Sequence, residues 1–236
     1  MQNPTRNDNV PSAAAFFQNV RPETRVVLLI DGANLFHTTQ NLRFAVDYKR
    51  MFDMFALYAT VVRVIYFTPY KESLESTHGG NTAYISMQKL IDWMEYNGIS
   101  VVKKKVQEWT DAKTGKRKSK ANLDVDIAVG FVKALEYCDR IYMFSGDGDF
   151  VPLISYGKDK GKQITVISSL VSNPVVVSDE LRRVADDFID LKDLRPYIER
   201  AEQAHKFVNR TERAEDEDEN EEDISLPQAF SGSANA

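Results

Sequence analysis

Aspartates that directly follow apolar runs are the residues of this sequence best placed to do chemistry. The stretch "SGDGDF" sets Asp147 and Asp149 two positions apart between glycines, directly after the run "RIYMF". In the same way, Asp31 follows the run "RVVLLI" and opens the stretch "DGANL". Each aspartate alone could be a helix cap. Because two strand ends share the arrangement, each with a glycine that allows close backbone approach, the pair favours a common site.

A third group of aspartates lies on a predicted helix. Asp124 falls about 60° from Ile127 on the helical wheel, inside the stripe that faces the core, where a carboxylate needs a cation or hydrogen-bond donors. Asp126 lies about 100° round the other way, nearer to Lys133 and solvent. We therefore assign chemistry to Asp124 and a supporting or surface role to Asp126. The core-facing stripe consists of Leu123, Ile127, Phe131, Ala134 and Leu135.

Carboxylates from separate elements suggest a cation site. Clustered carboxylates repel one another unless a cation offsets their charge. Aspartates without the His and Cys ligands that zinc prefers match Mg²⁺ or Mn²⁺. Such a site suits phosphodiester hydrolysis, because the metal activates water and stabilises the entering and leaving oxygens.

Composition excludes several other classes of protein. A chain of 236 residues with 43% apolar content can form one globular domain. Its single cysteine, Cys138, excludes an internal disulfide and is expected to be a small buried residue, and three scattered histidines exclude the usual zinc spacings. The apolar runs have strand length and the N-terminus lacks a signal-peptide pattern. We therefore expect a cytoplasmic protein without membrane contact.

The net charge of -5 averages over two different regions. From Arg210 onward there are nine acidic and two basic residues, so residues 1–209 carry about +2. Within them, residues 103–120 contain eight Lys or Arg. This segment either binds the phosphates of a nucleic acid or is a solvated loop, and charge alone does not separate the two. The candidate nucleic-acid-binding residues are Lys104, Lys116, Arg117, Lys118 and Lys120.

The order of predicted elements indicates an α/β fold. We predict a flexible arm over 1–22, a domain over 23–207 and a disordered acidic tail over 208–236. Within the domain, buried β-branched runs alternate with helices, which predicts a Rossmann-like parallel sheet flanked by helices, with its site beyond the carboxyl ends of the strands. The predicted strands are 25–30, 61–67, 99–106, 140–144 and 163–168, and the predicted helices are 34–42, 48–59, 83–98, 121–137, 150–161, 178–187 and 193–207.

Five stretches together carry a resemblance to a known family. The segments "VVLLIDGANLF", "LIDWMEYNGISVVKK", "KANLDVDIAV", "FSGDGDFVPLI" and "SDELRRVADDFIDL", in this order, resemble the LabA-like branch of the NYN domain family. The match covers about residues 24–192. The resemblance implies a PIN-like fold and an acidic site that binds Mg²⁺ or Mn²⁺ and hydrolyses RNA.

The family pattern is carried over position by position. It places catalytic and metal-binding roles on Asp31, Asp124, Asp147 and Asp149, with Asn34 beside Asp31. One position departs: close relatives often have another Asp six residues after the one that matches Asp124, where this chain has Gly130. Asp126 shares a helix face with Gly130 and could substitute for the absent carboxylate, or a metal ligand is missing.

Three hypotheses about function follow. The first is a metal-dependent ribonuclease. The second, which Gly130 makes less remote, is an RNA-binding or regulatory module with little or no cleavage. The third, a small-molecule phosphohydrolase with an aspartyl nucleophile, ranks last because "DGANL" lacks the DxD arrangement of that chemistry. The basic segment favours RNA as the partner, and the sequence leaves open whether the protein forms a homo-oligomer.

Overall fold

A six-stranded parallel sheet forms the centre of the computed structural model, which describes residues 12–70, 82–110 and 117–200. Its strands are β1 (Arg25–Asp31), β2 (Thr60–Tyr70), β3 (Ser100–Lys105), β6 (Arg140–Phe144), β7 (Gln163–Ser168) and β8 (Asp187–Asp190). A separate antiparallel hairpin consists of β4 (Gln107–Thr110) and β5 (Arg117–Lys120). The sheet order is β3-β2-β1-β6-β7-β8, and every neighbouring pair is parallel.

Helices cover both faces of this sheet. Leu35, Met51, Ile91 and Leu194 pack in one core cluster, while Ile127, Ile154 and Leu181 pack in the other. The two central strands β1 and β6 are buried on both faces, which is why their sequences are nearly continuous apolar runs. The helices are α1 (Gly32–Asn41), α2 (Tyr48–Tyr58), α3 (Thr82–Tyr96), α4 (Asp124–Ala134), α5 (Val151–Asp159), α6 (Asp179–Val184) and α7 (Leu191–Ile198). This confirms the predicted Rossmann-like fold class.

The strand order reverses between β1 and β6. The chain runs outward from β1 to β3 and then returns to place β6 on the other side of β1. The helices that follow the two central strands lie on opposite faces of the sheet, because Leu35 of α1 and Ile154 of α5 pack in different core clusters. Folds of this class bind ligands in the crevice at this point. Asp31 ends β1, and the "SGDGDF" stretch follows β6 at this edge.

Several predicted boundaries need correction. Residues 107–110 and 117–120 form a hairpin rather than a loop, and β8 is a strand that the sequence analysis did not assign. Helix α6 ends at Val184, before β8 begins, and α7 ends at Ile198 instead of near residue 207. The rest of that predicted helix and the acidic tail over 208–236 lie outside the described residues.

The segment predicted to be a flexible arm is partly packed against the domain. Residues Ala13–Phe17 form a 3₁₀ turn, and Phe17 is buried in the core, where its ring stacks on Tyr58 at a centroid distance of 4.5 Å. The arm prediction is therefore wrong for this turn, and residues 1–11 lie outside the described part of the chain. Cys138 is buried as predicted, and burial raises the pKa of its thiol to about 11. In the described ranges, every helix is too short or too polar to traverse a bilayer.

Candidate functional site

Asp31 lies at the carboxyl end of β1 and caps the helix that follows. Its Oδ1 accepts a hydrogen bond from the backbone N–H of Asn34 at 3.1 Å, which satisfies one of the free donors at the start of α1. Its Oδ2 accepts a hydrogen bond from the Ser145 hydroxyl at 3.3 Å. Helix capping therefore uses one oxygen, while the other faces the end of β6.

Ser145 connects the two strand ends that the sequence analysis singled out. Its hydroxyl donates to Asp31 and accepts a hydrogen bond from the backbone N–H of Asp147 at 3.3 Å. A second link joins the same loops, because the backbone N–H of Gly146 donates to Oδ1 of Asn34 at 3.0 Å. Ser145 is fully buried, so these bonds fix the turn after β6 against the start of α1. A serine in a turn has no sequence signal for this bridging role, so Ser145 was not predicted as a site residue.

The carboxyl of Asp31 interacts electrostatically with two other candidate residues. Burial is the largest cause that raises its pKa, to about 6 from an ordinary value of 3.8. The negative charges of Asp147 and Asp124 also raise this pKa, and the hydrogen bonds from Asn34 and Ser145 oppose the rise. Three of the four predicted carboxylates are therefore close enough to interact electrostatically.

Asp124 and Asp149 differ in their surroundings. Asp124 is half-buried in the first turn of α4, and its backbone N–H donates to Oδ1 of Asn122 at 2.9 Å. Asp149 is exposed, and its backbone N–H donates to Oδ1 of Asp147 at 2.9 Å, so Asp147 caps the short 3₁₀ turn Gly148–Phe150. Of the two acids in "SGDGDF", Asp147 is the one whose charge raises the pKa of Asp31.

The carboxylates do not form a closed set of metal ligands. Across 12–70, 82–110 and 117–200, no three His, Cys, Asp or Glu side chains are grouped closely enough to hold a metal ion. The donor chemistry nevertheless fits a hard cation, because the site offers only oxygen donors and the mutual repulsion of its carboxylates would be relieved by positive charge.

Two glycines allow the backbone to approach closely at this edge. A Cβ on Gly32 would lie 2.6 Å from the Phe67 carbonyl oxygen and 2.7 Å from the Tyr66 hydroxyl. A Cβ on Gly146 would lie 2.6 Å from the Val176 carbonyl oxygen. Both glycines are therefore needed for space, which explains why each strand end has glycine next to its aspartate.

Asp126 and Lys104 bind each other. The Lys104 Nζ lies 2.7 Å from Oδ2 of Asp126, so α4 is tied to the end of β3. Asp126 thus contacts Lys104, whereas the wheel had placed it nearer to Lys133. Of the other predicted nucleic-acid-binding residues, Arg117, Lys118 and Lys120 lie on β5, and Lys116 lies outside the described residues.

Gly130 faces an aromatic ring. A Cβ at this position would lie 2.7 Å from Cζ of Phe67, a residue with no exposed surface. The position where the family pattern often has an aspartate is therefore closed by the Phe67 ring. Asp126 lies one turn earlier on α4, and its carboxylate forms an ion pair with Lys104.

Comparisons with known proteins agree with this fold. The NYN domain matches residues 25–199. The chain belongs to the NYN domain family. The low amplitude and bright protein LabA of Synechococcus elongatus is 31% identical over 189 residues, which cover 79% of this chain and 94% of LabA, and places this NYN domain in the LabA-like branch.

A solved structure supports the fold alone. A protein of unknown function from Vibrio parahaemolyticus superimposes with a TM-score of 0.55 at 19% sequence identity, over 75% of this chain and 96% of that one. Membership of the NYN family, which is part of the PIN-like nuclease superfamily, supports a nuclease or RNA-related role, and nucleases of this kind typically use divalent metals.

Proposed function

We propose that the protein is a divalent-metal-dependent ribonuclease that hydrolyses RNA phosphodiester bonds in the cytoplasm. The observation that carries the proposal is the bridge through Ser145, which joins the Asp31 carboxylate at the end of β1 to the Asp147 turn after β6. Burial is the main cause that raises the pKa of Asp31, and the negative charges of Asp147 and Asp124 raise it further, so the site favours a cation over an anion. Family membership supports the same class of chemistry.

The chain's own residues would hold Mg²⁺ or Mn²⁺ and position the substrate. Asp31, Asp124 and Asp147 supply the carboxylates, with Asp149 at the exposed side of the turn. A bound divalent cation would supply charge neutralisation and water activation for attack on the phosphodiester. Ser145 and Asn34 fix the two loops against each other, which limits how far the carboxylates can move apart. The basic hairpin β4–β5 follows β3 at the same edge of the sheet and would bind phosphates of the RNA.

An RNA-binding module without cleavage is the second candidate. Gly130 favours it, because the chain has no carboxylate where the family pattern often has an aspartate. The Phe67 ring fills the space that such a side chain would need. Both functions use the same basic hairpin and the same crevice. They differ in whether the RNA is cut.

Cleavage of labelled RNA tests the proposal. The full-length protein is incubated with single-stranded RNA in Mg²⁺, Mn²⁺ or EDTA, together with the variants Asp147→Asn and Asp149→Asn. We expect cleavage in metal, none in EDTA, and a loss of at least about a hundredfold in Asp147→Asn. Asp149→Asn is the matched variant from the same turn and is expected to lose less activity.

The outcomes separate the two functions. Cleavage that persists in EDTA and in Asp147→Asn would refute the metal-dependent mechanism. RNA binding without cleavage in either metal would support the second function. An equal loss in the two variants would contradict the unequal roles assigned to Asp147 and Asp149.

Ser145 is expected to be a positioning residue. Alanine at this position removes the donor to Asp31 and the acceptor for the Asp147 backbone N–H. We expect Ser145→Ala to lower cleavage and Mn²⁺ affinity by about 10- to 100-fold. Ser155→Ala is the control, because that hydroxyl donates to the Val151 carbonyl within α5. Wild-type Mn²⁺ affinity in Ser145→Ala would show that the bridge does not position the carboxylates.

A further inference from the structure

Helix α4 is apolar on two opposite faces. Ile127 and Phe131 belong to the buried stripe that packs on the sheet. On the other side, Val125, Val129 and Val132 are 70%, 48% and 42% exposed. These three valines lie within an arc of about 60° on the wheel, so they form one continuous stripe, which we call the Val129 stripe. A helix that is apolar on both faces is usually covered on both.

We propose that the Val129 stripe is the interface of a homodimer, in which α4 packs antiparallel against α4 of a second copy. The stripe is almost symmetric about Val129, with Val125 four residues before it and Val132 three residues after it. A two-fold axis at Val129 would therefore place valines against valines along the whole stripe. β-branched side chains lose little rotamer freedom in such contacts.

Charge complementarity supports the second copy as the occupant. Asp126 and Lys133 are seven residues apart on α4 and lie on the same flank of the stripe. Asp126 precedes Val129 by about 4.5 Å along the axis and Lys133 follows it by about 6 Å. Reversing the helix direction about Val129 therefore brings Lys133 of the partner subunit level with Asp126, within about 1.5 Å along the axis.

Asp126 keeps one carboxylate oxygen for a lysine of the partner subunit. The Asp126 carboxylate binds Lys104 through Oδ2, and its other oxygen can accept a second cation. RNA is a poorer occupant of the stripe, since three aliphatic side chains offer neither positive charge nor an aromatic ring to stack on bases.

Cysteine cross-linking tests the two-fold axis. In the Val129→Cys variant the two introduced thiols face each other across the axis, so mild oxidation is expected to give a covalent dimer. The native Cys138 is buried and is the only other cysteine. Leu57→Cys on α2, where the side chain is 71% exposed, is the control and is expected to remain uncross-linked. Equal cross-linking of both variants, or none in Val129→Cys, would overturn the proposal.

Sedimentation measures the dimer independently of cross-linking and of any RNA activity. We expect the wild type to be a dimer and Val129→Glu to weaken dimerisation by on the order of a hundredfold, because two like charges would meet at the axis. Leu57→Glu should leave the dimer unchanged, and circular dichroism checks that both variants are folded. Lys133→Glu should weaken the dimer, and adding Asp126→Lys should restore it. A wild type that is monomeric at all concentrations would refute the proposal, whatever else binds the stripe.

Discussion

Replacing Asp31 by asparagine is expected to stabilise the fold at pH 7.5 in EDTA while it abolishes RNA cleavage. The folded-state pKa of Asp31 is about 6, against an ordinary value of 3.8. Keeping this carboxyl ionised at neutral pH therefore costs up to about 3 kcal/mol. Asparagine is neutral and nearly isosteric, and it can still accept the hydrogen bond from the Asn34 backbone N–H. The variant loses an anionic ligand and keeps the helix cap.

The raised pKa of Asp31 also determines how the stability of the wild type changes with pH. Because the pKa is higher in the folded than in the unfolded chain, the folded chain binds the proton more tightly. The wild type should therefore gain stability as the pH falls from about 6 towards 4, and its difference from Asp31→Asn should vanish below that range. Thermal unfolding checks this, with a shift of about 2–4 °C in melting temperature for each kcal/mol in a domain of this size.

Asp47→Asn is the matched control for the capping contact. Asp47 caps α2 through a hydrogen bond from the Arg50 backbone N–H at 3.0 Å, the same contact that Asp31 makes with α1. Because Asn and Asp are similar caps, this variant should change stability by less than about 1 kcal/mol. If Asp31→Asn were no more stable than the wild type at pH 7.5, the raised pKa of Asp31 in the folded chain would be excluded.

Introducing the additional aspartate of close relatives at Gly130 is expected to destabilise this chain. The new Cβ would lie 2.7 Å from the Phe67 ring, which is fully buried and has little room to move. We expect Gly130→Asp to lower the free energy of unfolding by about 1–3 kcal/mol through overpacking. Urea denaturation of the wild type and the variant measures this loss.

A double-mutant cycle with Phe67→Ala isolates the cause. Removing the ring opens the space over Gly130, so the Gly130→Asp, Phe67→Ala pair should be more stable than the sum of the two single losses predicts. The expected coupling is about 0.5–3 kcal/mol. Strict additivity would show that the Phe67 ring does not close this position.

The sequence predicted the parts of the fold that depend on local pattern. Strands β1 and β6 are buried on both faces, and their continuous apolar runs identified them without other information. The carboxyl ends of parallel strands share one edge, so the positions of Asp31 and Asp147 after their strands indicated a common location. Helical periodicity separated the core side of α4 from its surface and placed Asp124 beside the buried stripe.

Other features depend on contacts between distant residues. The hairpin β4–β5 has a short, mostly polar and charged sequence without a clear alternation, so its pairing could not be predicted from pattern. The bridge through Ser145 requires the loops after β1 and β6 to meet, and a serine in a turn has no local signal for that role. The space beside Gly130 is filled by the ring of Phe67, which lies 63 residues earlier in the chain. Likewise, the burial of Phe17 follows from its packing on α2.

The most direct test of the account is to locate a bound metal. Crystals soaked in Mn²⁺ should show an anomalous peak at the crevice between β1 and β6, with carboxylate oxygens of Asp31 and Asp147 within about 2.5 Å and Asp124 facing the same ion. Crystals of Asp147→Asn treated in the same way should lack this peak. Cleavage of RNA in Mn²⁺ by a protein whose crystals show no manganese at these carboxylates, or show it elsewhere, would contradict the account.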